Sequence, residues 1–175
     1  MKYEDNSSNV LKYYDNRLND ALELIGNYVL GEAQANIVRN FKRRTEGGGL
    51  LGSGSREVNT ANKTVTVAFN TEYAAIQELG GDIVPRNAKA LAIPVHSEAK
   101  KTAIPDGRSI RDMFPDLIYL PNKGGHPLLA RKKGKGLEIM YVLVSKVHIT
   151  AQPYLRPAVY NNTDQILRIL HRAYQ

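Results

Sequence analysis

Over residues 9–41 the apolar side chains recur at three- and four-residue intervals: Val10, Tyr14, Leu18, Ala21, Leu22, Ile25, Val29, Ala33, Ile37 and Phe41. Such spacing puts them on one face of a helix, and the rest of the chain must supply a surface for that stripe to pack on. The predicted helix covers residues 9–44. Ser8 and Asn9 offer capping oxygens at its start, and Lys42, Arg43 and Arg44 place cations where the helix dipole is negative. Gly26 and Gly31 interrupt it, each at a cost of up to about 1 kcal/mol against alanine, which points to a bend or a close packing contact.

A chain of 175 residues with 42% hydrophobic and 23% charged residues has the length and composition of one globular domain, and a single core over residues 1–175 is expected. With no cysteine, disulfides, thiolate metal sites and thiol nucleophiles are excluded. The opening MKYEDNSSNV is polar and lacks the apolar core of a signal peptide, and no apolar run is long enough for a membrane span. A soluble protein made in a cytoplasm is expected. Lys and Arg number 24 against 17 Asp and Glu, a net charge of +7, which favours polyanions or acidic protein surfaces as partners.

Residues 45–56, with the run GGGLLGSGS, read as a glycine-rich flexible connection. Residues 57–95 hold strands with a short helix between them. Within them, residues 63–70 alternate strictly, with Val65, Val67 and Phe69 on one face of a half-buried strand. Tyr73, Ile76 and Leu79 suit a short helix that stops at the pair Gly80-Gly81. Short strands follow at residues 83–84 and 91–95, with Pro94 pushing the second to a sheet edge. Residues 96–136 are rich in proline, glycine and cations and read as a long irregular basic loop. Residues 137–150, LEIMYVLVSKVHIT, carry the strongest strand signal and are expected at the centre of the sheet. Residues 153–174 close the chain as a helix, with Pro157 in its first turn. The fold class is therefore α+β: two terminal helices packed on a small antiparallel sheet, with a long basic loop.

Candidate chemistry is thin. Gly47, Gly49 and Gly52 match the spacing G-x-G-x-x-G, but a helix precedes them and a strand follows, the reverse of a dinucleotide-binding context. His96, His126, His148 and His171 lack paired metal-ligand spacing, and Asp82 suits a turn better than a general base. No serine lies in a nucleophile elbow. The expectation is a protein without catalysis, cofactor or metal. The cations Lys100, Lys101, Arg131, Lys132, Lys133 and Lys135 could meet phosphates or a partner's acids. Without interleaved aromatic residues they favour an acidic protein surface over base recognition, and a nucleic-acid-binding module over residues 100–135 is the alternative.

Three blocks, in order, carry a resemblance. TEYAAIQELGGDIVPRNAKALAIPV at residues 71–95, LVSKVHITAQPYLRPAV at residues 143–159 and LLGSGS at residues 50–55 together resemble the virion morphogenesis, or tail-completion, proteins of Mu-like and related tailed phages and prophages. The residues that carry it are Tyr73, Leu79, Gly80, Gly81, Pro94, Pro153, Tyr154, Arg156 and Pro157. A departure is the family's threonine-glycine turn, which here reads Thr45-Glu46-Gly47 inside a longer glycine run. The resemblance implies a structural virion protein that forms a ring with copies of itself, commonly a hexamer, at the neck or proximal tail. Neighbouring neck and tail-tube proteins and duplex DNA in the lumen are its implied partners. Tyr73, Leu79 and the Gly80-Gly81 turn would fix the short helix on the sheet, and Arg156 would position the terminal helix.

Overall fold

The structure, a computed structural model, describes residues 5–41, 49–102, 104, 108–122 and 124–175. In chain order its elements are α1 (Ser7–Asn40), α2 (Gly49–Gly52), β1 (Gly54–Asn59), β2 (Thr64–Phe69), α3 (Ala74–Leu79), β3 (Gly81–Ile83), β4 (Leu91–Pro94), α4 (Ser97–Lys101), α5 (Ile110–Met113), β5 (Ile118–Leu120), β6 (Leu128–Lys133), β7 (Gly136–Val144), β8 (Val147–Ile149), α6 (Leu155–Tyr160) and α7 (Thr163–Arg172). The α+β class holds, with a long first helix, small sheets and a helical C-terminal segment. The chain divides into two compact units, Met1–Gly81 with Thr150–Gln175, and Asp82–Ile149. Instead of one core, the described residues hold two apolar clusters, one in each. No described helix is long and apolar enough to cross a membrane.

In the first unit, α1 buries Ala21, Leu22, Ile25, Val29, Ala33 and Ile37, the helical repeat read from the sequence. Of these, Ile25, Val29, Ala33 and Ile37 join Leu50, Phe69, Tyr154 and Ala158 in one cluster, with Val65 and Val67 packed alongside. The stripe, however, is covered only from its second third onward: Val10 and Tyr14 are exposed, as is every residue from 7 to 16. Periodicity marks a face but not how far its partner surface reaches. The cations expected to close this helix, Lys42, Arg43 and Arg44, lie outside the described residues, as do Thr45-Glu46-Gly47.

Part of the glycine-rich connection is ordered structure. Leu50 is buried in α2, and Ser53 ends that turn by donating its backbone N–H to the Gly49 carbonyl at 3.1 Å and its hydroxyl to the Leu50 carbonyl at 2.9 Å. Strand β1 begins at Gly54, where a Cβ would stand 2.8 Å from Leu30 and 2.9 Å from Phe69. Packing against the core, not chain flexibility, accounts for that glycine. β1 and β2 form an antiparallel hairpin in which Val65 and Val67 face inward and Thr64 and Thr66 outward. In its loop Asn59 Oδ1 accepts the amides of Ala61 and Asn62, and Lys63 takes a left-handed φ of 54° while its ammonium reaches Asn19 and Asp15 of α1.

The C-terminal helix is two helices. Asn162 accepts the Tyr28 hydroxyl at 2.7 Å and donates to the Ala158 carbonyl at 3.0 Å, so its side chain takes over a carbonyl that a continuous helix would bond through backbone.

In the second unit, four strands pair antiparallel in the order β4-β7-β6-β5, while β3 pairs with β8. The strong strand signal of residues 137–150 is thus divided: β7 lies centrally and β8 turns away to another partner. The long irregular loop is corrected outright, since residues 96–136 contain α4, α5, β5 and β6. The segment Leu128–Lys133 reads as a cation cluster in sequence and becomes a strand because β7 pairs with it. Its hairpin turn uses Gly134 at φ 61°, followed by Lys135, a two-residue connection that needs glycine at its first position. A bulge at Leu129/Ala130 lets Met140 and Tyr141 be buried in succession.

Leu129, Tyr141, Ala92 and Leu143 face the cluster built with Ala99, Phe114 and Leu117. Strand alternation therefore assigns Leu91, Ile93, Leu128, Ala130, Val142 and Val144 to the other face, joined through the β5 and β7 registers by Ile118, Leu120, Leu137 and Ile139. On that face Lys132, opposite Leu137, is the charged residue.

The two helical glycines differ. A Cβ on Gly26 would stand 2.8 Å from Val65 Cγ2 and 3.2 Å from Arg56 Cδ, whereas one on Gly31 meets nothing within 4 Å. Gly31→Ala should raise stability by up to about 1 kcal/mol through helix propensity, and Gly26→Ala should lower it by about 1–3 kcal/mol through overpacking. Urea denaturation of both variants beside the parent checks the pair; equal signs would contradict the packing assignment.

Candidate functional site

Sequence places Tyr73, Ile76 and Leu79 on the packing side of the short helix. The structure rotates it: α3 buries Ala74 and Glu78, while Tyr73 is 44% and Leu79 63% exposed. Tyr73 and Leu79 therefore do not fix this helix on a sheet. A buried carboxylate one turn after a buried alanine does so, because it has strong partners to satisfy.

Glu78 Oε2 accepts the backbone N–H groups of Tyr154 at 2.7 Å and Leu155 at 2.9 Å, and Oε1 accepts that of Arg156 at 3.0 Å. These are the free amides at the start of α6, which has no side-chain cap of its own. The guanidinium of Arg156 adds Nε to Oε1 at 3.0 Å and Nη2 to the Glu78 carbonyl at 3.0 Å. Burial alone would raise the Glu78 carboxyl, but the three amides and Arg156 outweigh it and hold the group below the usual carboxylate range.

Within the first unit, further block residues pack beside this ion. Tyr154 is 2% exposed, meets Phe69 edge-on at 5.0 Å and donates its hydroxyl to the Ala74 carbonyl at 3.4 Å. Burial first, and then the Glu78 charge, pushes its phenol up to about 12. Asn36 and Asn40 of α1 donate to the carbonyls of Tyr154 and Pro153 at 3.0 and 3.1 Å, and Gln152 N–H donates to the Gln77 carbonyl at 2.8 Å. Pro157 is the third residue of α6, in its first turn. Gly80 caps α3 at φ 71° and Gly81 follows at φ 137°, so the double glycine is a backbone requirement. Pro94 ends β4 at the edge of the four-stranded sheet, opposite Tyr141.

The two long blocks remain neighbours beyond this joint. β3 pairs with β8, and Asp82 accepts Lys146 Nζ at 2.9 Å and lies 2.7 Å from His148 Nδ1. Lys146 first, then His148, lowers the Asp82 carboxyl. β4 then pairs with β7 in the register Leu91↔Val144 and Ala92↔Leu143.

The sequence-predicted cations are only partly gathered. Arg131 Nε donates to Glu138 at 2.9 Å and its Nη groups bind Glu98; Lys133 reaches Glu138 at 2.6 Å and His96 Nε2 lies 3.1 Å from it. Lys133, then Arg131 and His96, draws the Glu138 carboxyl down to about 2 against its desolvation. Lys100, Lys101, Lys132 and Lys135 are exposed. Glu78, Asn36, Glu98 and Glu138 escaped the sequence reading, because charged residues on helical or alternating patterns look solvent-facing until their partners are known.

Among the described residues no group of three or more His, Asp or Glu could hold a metal ion. Comparison with protein-family models, curated proteins and solved structures finds no match.

Because the folded Glu78 carboxyl titrates below its unfolded value of about 4.3, its contribution is full above that pH and is lost as pH falls through the folded value. Glu78→Gln should cost about 1–3 kcal/mol at neutral pH by leaving α6 amides and Arg156 poorly satisfied. The gap between parent and variant should close on acidification below about pH 4. Urea titrations across pH 2–7 measure it; a pH-independent gap would contradict the role of the ionised carboxylate.

Proposed function

We propose that this chain is a structural subunit of a tailed-phage or prophage virion, forming a closed ring with copies of itself at the head–tail junction or proximal tail end. The observation that supports the reading is the mutual arrangement of the two blocks that resemble tail-completion proteins. Residues 71–95 and 143–159 run beside each other, through the Glu78 carboxylate, the β3–β8 pair and the β4–β7 pair. Two residues that carry the resemblance, Tyr73 and Leu79, are exposed. Apolar side chains left this exposed suit a subunit contact. Ring neighbours, adjoining neck or tail-tube proteins and DNA in the lumen are the partners of this reading, and the virion is its location.

The alternative, a nucleic-acid-binding module, draws on Lys100, Lys101, Lys132 and Lys135, whereas Arg131 and Lys133 are engaged by Glu98 and Glu138. Negative-stain electron microscopy at high protein concentration separates the two. The ring reading expects closed annuli with a channel wide enough for duplex DNA. A protein that stays monomeric yet binds duplex DNA near physiological salt would replace that reading with the alternative.

A further inference from the structure

Between α1, β2 and the last two helices, the first unit leaves a cleft of about 320 Å³. Its floor is α1, where Ile25 is 6% and Val29 5% exposed. Val65 and Val67 of β2 form one wall, half-buried, and Val159 of α6 and Ile166 of α7 the other, with Val159, 39% exposed, at the mouth. The cleft thus spans the break between α6 and α7, which Asn162 holds through the Tyr28 hydroxyl, so helix placement sets its shape. Among the described residues, every one that lines it is aliphatic or glycine.

Packed interiors leave few voids larger than a water molecule, and an aliphatic one offers water no partner and takes up apolar solutes instead. The volume lies at the small end of ligand pockets, which run from about 300 to 1,000 Å³. Chemistry and size together restrict the occupant. An ion or a sugar would give up its hydration and gain no hydrogen bond from the lining side chains. A partner's strand would bring backbone N–H and C=O groups with nothing to meet, and a helix, about 10 Å across, is wider than a sphere of this volume. We infer that the cleft binds a small uncharged apolar molecule of about the size of a substituted benzene. The site goes beyond the structural-subunit reading, which does not depend on it.

The probe is p-xylene, and the control is hydroquinone, which has nearly the same shape with hydroxyls in place of methyls. The full chain is titrated with each while the methyl NMR signals of its valines and isoleucines are followed. Saturable shifts centred on Val65, Val67, Val159 and Ile166 are expected with p-xylene. Hydroquinone should bind at least about tenfold more weakly, because it must leave a hydroxyl unpaired in the cleft. Val159→Phe, at the mouth, should fill the space and weaken p-xylene binding by about tenfold or more while the chain still melts cooperatively. Val67→Phe fills it from the opposite wall and serves where the first variant folds poorly. No shifts up to the solubility limit of p-xylene, shifts centred on other methyls, equal binding of the two probes, or binding that survives a folded filling variant overturns the site. Cleft methyls that move with protein concentration alone assign the space to a second copy and overturn it too.

Discussion

A carboxylate taken out of water must be repaid by several donors, and in this chain the debt of Glu78 decides where the last helices go. Its acceptors meet amides 76–78 residues further along the chain, at the one place where α6 has bare N–H groups to offer. Arg156 neutralises the charge from the same turn. Once α6 is held there, Tyr154 inserts between Phe69 and Phe41, and α1 closes over it through Asn36 and Asn40. The α1 stripe, the β1–β2 hairpin and the helical C-terminal segment thus share a single cluster. The glycines follow from the same demand: α3 must stop at once after Glu78, and a double glycine with φ of 71° and 137° turns the chain out of it.

The second unit satisfies its charges differently. Glu138 sits among Lys133, Arg131 and His96, and Glu98 completes the bonding of Arg131, so cations that read as an open polyanion site are partly spent on holding α4 to the sheet. What this leaves over is apolar. One sheet face packs on Ala99, Phe114 and Leu117, and the other has no cover among the described residues of that unit. These uncovered apolar surfaces are what the proposed structural-subunit role draws on.

Much of this was legible in the residues. The long helix, the alternation of β2, the glycine stop after Leu79, the edge position near Pro94 and the central strand at β7 each come from a local pattern, and local patterns survive folding. The misses have a common cause. Glu78 looks like a solvated helix residue because its partners lie far along the chain. Leu128–Lys133 looks like a cation cluster because only pairing with β7 makes it a strand. The terminal helix looks continuous because Asn162 breaks it through a bond to Tyr28 of α1. The exposed start of α1 looks like core, since its periodicity does not reveal where the opposing surface ends.

The central claim, that an ionised, buried Glu78 caps α6 and so fixes the joint, is most directly tested by amide hydrogen exchange at Tyr154, Leu155 and Arg156 near neutral pH. The account predicts protection that requires cooperative unfolding of the first unit, as slow as that of the buried amides of α1. Exchange at these three amides as fast as in an exposed loop, in a protein that is otherwise folded, would contradict it.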